Sequence, residues 1–220
     1  MNIGWHCRGL YAITEDELDT QRLLQRAEAV LGAGVSWLQY RNKSASPELR
    51  QEQAFALLSS CRVHDVPLIV NDDWQLAARI GADGAHLGSN DGELKAAREA
   101  LGPHALLGAS CYDDIELARR AVADGASYIA FGAFYPSSTK PGTRRAGREL
   151  LAAAAALGVP RVAIGGITPD NARPLIDAGA DLIAAISGVF GAADPAVAAR
   201  AYRSCFAGIS SPLRPTRHEP

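Results

Sequence analysis

The chain has 220 residues, 48% of them hydrophobic, which is enough to bury one substantial core without requiring two domains. Its formal net charge of −2, with acidic and basic residues interspersed, gives no basic field for nucleic acid, and no apolar run approaches the length of a membrane span. The four cysteines lack a C-x-x-C pair and the five histidines lack metal-binding spacing, which argues against zinc or a disulfide framework and for a reducing cytoplasm.

In chain order, a first strand over 9–13 leads through Thr14 and an acidic turn into an apolar-periodic helix carrying Leu23, Leu24, Ala27, Val30 and Leu31. Further strands are predicted over 35–39, 66–70, 84–87, 105–108, 128–131, 161–164 and 182–186. Each is followed by a helix: one from Ser46-Pro47, then 74–80, 92–101, 113–123, 148–157, one after Thr168-Pro169, and 195–207. Glycine and a small residue precede the second, fourth, sixth and eighth strands, at Gly34-Val35, Gly81-Ala82, Gly125-Ala126 and Gly179-Ala180. Each sits where a helix should end, so a left-handed C-terminal cap accounts for the repeat. Eight β-then-α units predict an α/β fold, a single (β/α)₈ TIM barrel over 1–208 with a loose tail over 209–220. The N-terminus has neither a basic n-region nor a continuous apolar h-region, so a soluble, unexported protein is expected.

The polar residues gather just past strand ends, where ligands bind in parallel α/β proteins. After the third strand come Asn71-Asp72-Asp73, and after the fourth Gly88-Ser89-Asn90-Asp91. Asp72 and Asp91 suit a hard cation such as Mg²⁺, which takes one or two carboxylates and completes its shell with water and phosphate; they equally suit turns and helix caps. At the second strand's exit Gln39, Arg41 and Lys43 alternate onto one side, a group fit for anionic phosphate or for a solvated turn. The 135–142 loop concentrates Ser137, Ser138, Thr139 and Lys140 without Walker A spacing. Gly165-Gly166 and Ser187-Gly188 end strands seven and eight, a recurrent phosphate site in these barrels. Ser110 ends strand five with no nucleophile elbow around it, and ligand hydrogen bonding is its expected role. Trp74, Tyr128 and Phe131 are expected to pack, and His86 to be a satisfied core histidine.

Together, Leu10-Tyr11-Ala12-Ile13-Thr14, Gln39-x-Arg41-x-Lys43, Asn71-Asp72, Gly81 to Gly88 with Asp91, Gly108-x-Ser110, Thr139-Lys140-Pro141 and Ala163 to Ile167 resemble the thiamine phosphate synthase family over residues 9–190. That resemblance implies a barrel that joins hydroxymethylpyrimidine diphosphate to a thiazole phosphate with Mg²⁺, releasing pyrophosphate and thiamine phosphate. It implies pyrimidine diphosphate contacts at Gln39, Arg41, Lys43, Asn71, Ser110 and Lys140, with Lys140, Ser110 and Arg41 serving catalysis. Asp72 and Asp91 match the metal ligands, and Ser137, Ser138, Thr139, Gly166, Ile186 and Ser187 match the thiazole phosphate holder. If C–O cleavage leads, electrostatic neutralisation of the leaving group suffices without a covalent nucleophile.

The chain departs from the family pattern in two places. Asp73 and Trp74 stand where an arginine and an aliphatic residue are common, adding negative charge beside the expected metal. Cys111-Tyr112 follows Gly-x-Ser where a threonine and a histidine often follow. A related thiazole tautomerase-like branch uses a histidine in that region, so its absence here favours the synthase. A tautomerase-like homologue and a non-catalytic phosphate-ligand barrel are the alternatives. Small phosphorylated molecules are the expected partners.

Overall fold

The structure, a computed structural model, describes residues 8–88, 93–136 and 145–208, and strands and helices alternate through these residues. The strands β1 (Gly9–Ile13), β2 (Trp37–Tyr40), β3 (Leu68–Asn71), β4 (Gly84–Leu87), β5 (Leu106–Tyr112), β6 (Tyr128–Phe131), β7 (Arg161–Ile164) and β8 (Leu182–Ala185) pair in sequence order, all parallel. β8 returns to β1, with Tyr11 opposite Ala184, and closes the expected (β/α)₈ barrel. Around it lie α1 (Thr20–Gly32), α2 (Pro47–Val63), α3 (Trp74–Ile80), α4 (Leu94–Leu101), α5 (Ile115–Ala123), α6 (Glu149–Ala153), α7 (Pro169–Asp177) and α8 (Pro195–Ser204). The expected tail over 209–220 lies outside the described residues.

Some boundaries differ from the sequence reading. β5 runs on to Tyr112 with a register shift between Ser110 and Tyr112, so Ser110 sits inside the strand instead of ending it. α6 is short and tightens into a 3₁₀ turn over Ala154–Leu157, which Gly158 ends with a left-handed φ of +68°. Among the described residues, no helix is long and apolar enough to cross a membrane.

The glycine repeat has the structural cause the sequence suggests. Gly34, Gly81, Gly125 and Gly179 all have φ between +69° and +105°. The next polar residue in three of these turns then pins the coming strand to the previous one. Asp83 Oδ2 accepts from Leu68 N–H at 2.8 Å, Ser127 Oγ from Leu107 N–H at 2.8 Å, and Asp181 Oδ2 from Arg161 N–H at 2.9 Å. Burial holds the Asp83 carboxyl above its ordinary range despite the Leu68 bond.

Strand alternation splits the core in two. Leu10, Leu38, Val70, Leu107 and Ile129 face the helices, while Tyr11, Trp37, Ile69, Leu106, Tyr128 and Leu182 fill the barrel. The same phase turns Gln39, Asn71, His86 and Ser110 inward, where they line the mouth. Gly108 is required by that filling: a Cβ there would stand 2.0 Å from Cζ of Tyr128.

Candidate active site

At the carboxyl ends of the strands the interior opens into a cavity of about 420 Å³. Gln39, Arg41, Lys43, Asn71, Asp72, Ser110, Gly166, Ile186 and Ser187 all line it, so the structure brings together the expected site residues that it describes. Asp91, Ser137, Ser138, Thr139 and Lys140 lie outside the described residues.

The cationic wall is held by the segment between β2 and α2. Asn42 is buried there; its Nδ2 donates to the Glu17 carbonyl at 2.6 Å, and its Oδ1 accepts from the backbone N–H groups of Ser44 and Ala45. Thr14 Oγ1 lies 2.8 Å from both the Arg41 N and the Arg41 O, tying the segment to the end of β1. Asp16 accepts from Arg41 Nη1 at 2.8 Å and from the Lys43 N–H at 2.9 Å, and so aims the guanidinium. Sequence reasoning saw only an acidic turn at Asp16, because its partners lie 25 residues or more away.

Asp72 follows β3 with a left-handed φ of +64°, and its N–H donates to the His86 carbonyl at 2.9 Å. Lys43 Nζ lies 3.3 Å from its Oδ2. Asp73 caps α3 through Leu76 N–H at 2.8 Å, which turns its carboxylate to the helix and accounts for an acidic residue beside this site. Among the described residues no group of three or more His, Cys, Asp or Glu side chains could hold a metal. One cavity carboxylate beside cationic residues still fits Mg²⁺, whose shell in such sites comes mostly from phosphate oxygens and water.

The other wall is backbone. Gly165 and Gly166 have φ of +101° and +61°, and Asn171 Nδ2 donates to the Gly166 carbonyl at 3.2 Å. After β8 the chain makes a tight turn in which Val189 and Phe190 N–H both donate to the Ile186 carbonyl, leaving the amides of Ser187 and Gly188 outside that ladder at the cavity edge. Exposed amides at the start of such a turn suit an anion. The entry to the 137–144 segment is fixed over this wall, with Phe134 and Tyr135 N–H donating to Ile164 and Gly165 carbonyls at 3.2 and 3.0 Å.

Beneath the mouth lies a group that sequence reasoning divided between packing and ligand binding. Gln39 Nε2 donates to the Tyr11 hydroxyl at 2.6 Å, the Tyr11 and Tyr128 hydroxyls are 2.8 Å apart, Tyr128 Oη is 3.0 Å from His86 Nδ1, and His86 Nε2 is 2.9 Å from Ser110 Oγ. Burial pushes both phenols well above their ordinary pKa, so they remain hydrogen-bearing. His86 is thus satisfied, as expected, but it also lines the cavity. Of the departing pair, Tyr112 reaches the cavity, whereas Cys111 packs among the helix-facing residues with its thiol pushed by burial to about 12.

Known proteins resemble this chain over most of its length. The thiamine monophosphate synthase family matches residues 10–189. A thiamine-phosphate synthase from Xanthomonas campestris pv. campestris is 57% identical over 201 residues, covering 91% of this chain and 97% of its own. One from Methylobacillus flagellatus is 55% identical over 199 residues, covering 90% and 95%. The solved thiamine phosphate pyrophosphorylase from Pyrococcus furiosus superposes with a TM-score of 0.81 at 33% identity, over 91% of this chain and 96% of that one.

Proposed function

As the chain belongs to the thiamine monophosphate synthase family and condenses hydroxymethylpyrimidine diphosphate with hydroxyethylthiazole phosphate to give thiamine phosphate and pyrophosphate, we propose that it does so dissociatively, with the diphosphate on the cationic wall and the thiazole phosphate on the backbone wall. The convergence of Arg41, Lys43 and Asp72 on one cavity carries this reading. Mg²⁺, held by Asp72 and Asp91, would neutralise charge on the departing pyrophosphate. Arg41 and Lys140 donate to the same oxygens as their charge grows, and their interaction is stronger in the transition state than in the ground state. Gln39, Asn71 and Ser110 hold the pyrimidine. Ser137, Ser138 and Thr139, with Gly166, Ile186 and Ser187, hold the thiazole phosphate so that the ring nitrogen faces the exposed methylene carbon. No side chain is asked to attack or to form a covalent intermediate. A cytoplasmic setting goes with free thiols at Cys61, Cys111 and Cys205.

The test is an assay with both substrates after exhaustive chelation. Thiamine phosphate formation should fall to background and return on adding Mg²⁺, with one pyrophosphate released per product. Turnover that survives chelation would remove the metal from the account.

A further inference from the structure

The hydrogen-bond chain beneath the cavity begins at one proposed pyrimidine contact, Gln39, and ends at another, Ser110. It runs from β2 to its neighbour β1, crosses the barrel interior to β6 and then to β4, neither of which pairs with the strand before it, and ends on β5 beside β4. Its interior members are sealed, with Tyr11 and Tyr128 at 1% and 0% exposure, so every proton along it must find an acceptor inside the protein.

That condition fixes its direction. A phenol carries one proton and an amide nitrogen can only donate. Tyr11 accepts from Gln39 Nε2, so its own proton goes to Tyr128; the Tyr128 proton then has His86 Nδ1 before it. An accepting Nδ1 in a neutral ring places the proton on Nε2, which donates to Ser110 Oγ. Ser110 therefore accepts from below, and its hydroxyl hydrogen is left for the cavity it lines.

We propose that Tyr128 is a positioning residue: its hydroxyl passes the orientation of the Gln39 amide to His86, holding the imidazole in its Nε2–H tautomer and making Ser110 a hydrogen-bond donor to the pyrimidine substrate. This rests on the reading above that Gln39 and Ser110 face that ring. A flipped Gln39 amide would reverse every bond and make Ser110 an acceptor, so the arrangement selects for a ligand that accepts at Ser110, as a ring nitrogen does. Tyr128 touches no substrate. Its ring also packs edge-on against Trp37 at a centroid distance of 4.8 Å, a role that Tyr128→Phe keeps while deleting only the oxygen.

Two measurements test this. In ¹⁵N-histidine-labelled protein, the His86 ring, assigned by its loss in His86→Asn, should show the Nε2–H pattern; the Nδ1–H pattern would overturn the proposal. In Tyr128→Phe that pattern should give way to mixed tautomers, kcat/KM for the pyrimidine diphosphate should fall about tenfold or more, and the KM for thiazole phosphate should stay within about twofold. Combining it with Ser110→Ala should cost no more than Ser110→Ala alone, because both act through one hydroxyl. If Ser110→Ala is impaired while Tyr128→Phe behaves as wild type, the positioning role is wrong and the pyrimidine site stands. If Ser110→Ala is also unimpaired, the site assignment itself fails, and the proposal with it.

Discussion

Asp72→Asn is expected to lower kcat/KM at ordinary Mg²⁺ by at least about a hundredfold, a loss of roughly 2.7 kcal/mol of transition-state stabilisation. Two features make the substitution clean. Asp72 holds a left-handed φ of +64°, a conformation that asparagine tolerates as readily as aspartate, so the backbone has no reason to move. Its side chain is 32% exposed and meets Lys43 at 3.3 Å, a surface-type pair whose loss alters stability little. On the proposed reading, what the variant removes is a negative oxygen ligand from an ion with few protein ligands. The effect should therefore appear as a raised Mg²⁺ requirement, partly relieved at high Mg²⁺, with the thermal midpoint nearly unchanged. Activity within about threefold of wild type at limiting Mg²⁺ would take Asp72 out of the metal shell.

Gly166→Val is expected to be comparably severe, for a different reason. A β-branched residue forced to a φ of +61° carries roughly 1–2 kcal/mol of strain, and its Cβ would stand 2.2 Å from the Pro136 carbonyl and 2.7 Å from that of Tyr135. Those oxygens belong to backbone and cannot swing aside. The wall must open, and with it the chain entering the segment that carries Ser137 to Lys140. The KM for thiazole phosphate should rise about tenfold or more, and kcat/KM should drop at least about a hundredfold. Because the displaced segment carries Lys140, pyrimidine diphosphate kinetics should worsen too. Both constants are to be measured on protein shown to be folded by circular dichroism. An unchanged thiazole phosphate KM would place that substrate elsewhere.

The barrel was legible because each βα unit carries its own punctuation, and the recurrent glycine before even strands reflects a cap that every helix in that position needs. The cavity-lining polar residues were legible for a related reason: Arg41, Asn71 and Asp72 interrupt apolar strands abruptly, at the edge where parallel sheets bind ligands. What sequence could not reveal depends on which side chains meet across the closed interior. Tyr11 and Tyr128 are separated by 117 residues and read as ordinary aromatic strand residues; only barrel closure puts their hydroxyls together. Asp16 and Thr14 were missed likewise, since their function is to set the direction of a neighbour. Ser110 was placed at a strand end because the run 105–108 looks complete, whereas the bulge that carries β5 on to Tyr112 has no local sequence signal.

The division of the mouth into a metal-dependent diphosphate half and a metal-independent thiazole phosphate half is tested most directly by calorimetric titration of both ligands, with and without Mg²⁺. Pyrophosphate should bind at least about tenfold more tightly when Mg²⁺ is present, and Asp72→Asn should abolish that gain, which separates binding at the site from complexation in solution. Thiazole phosphate should bind equally well in both conditions and should not be displaced by pyrophosphate. Pyrophosphate affinity indifferent to Mg²⁺, or competition between the two ligands for one site, would contradict it.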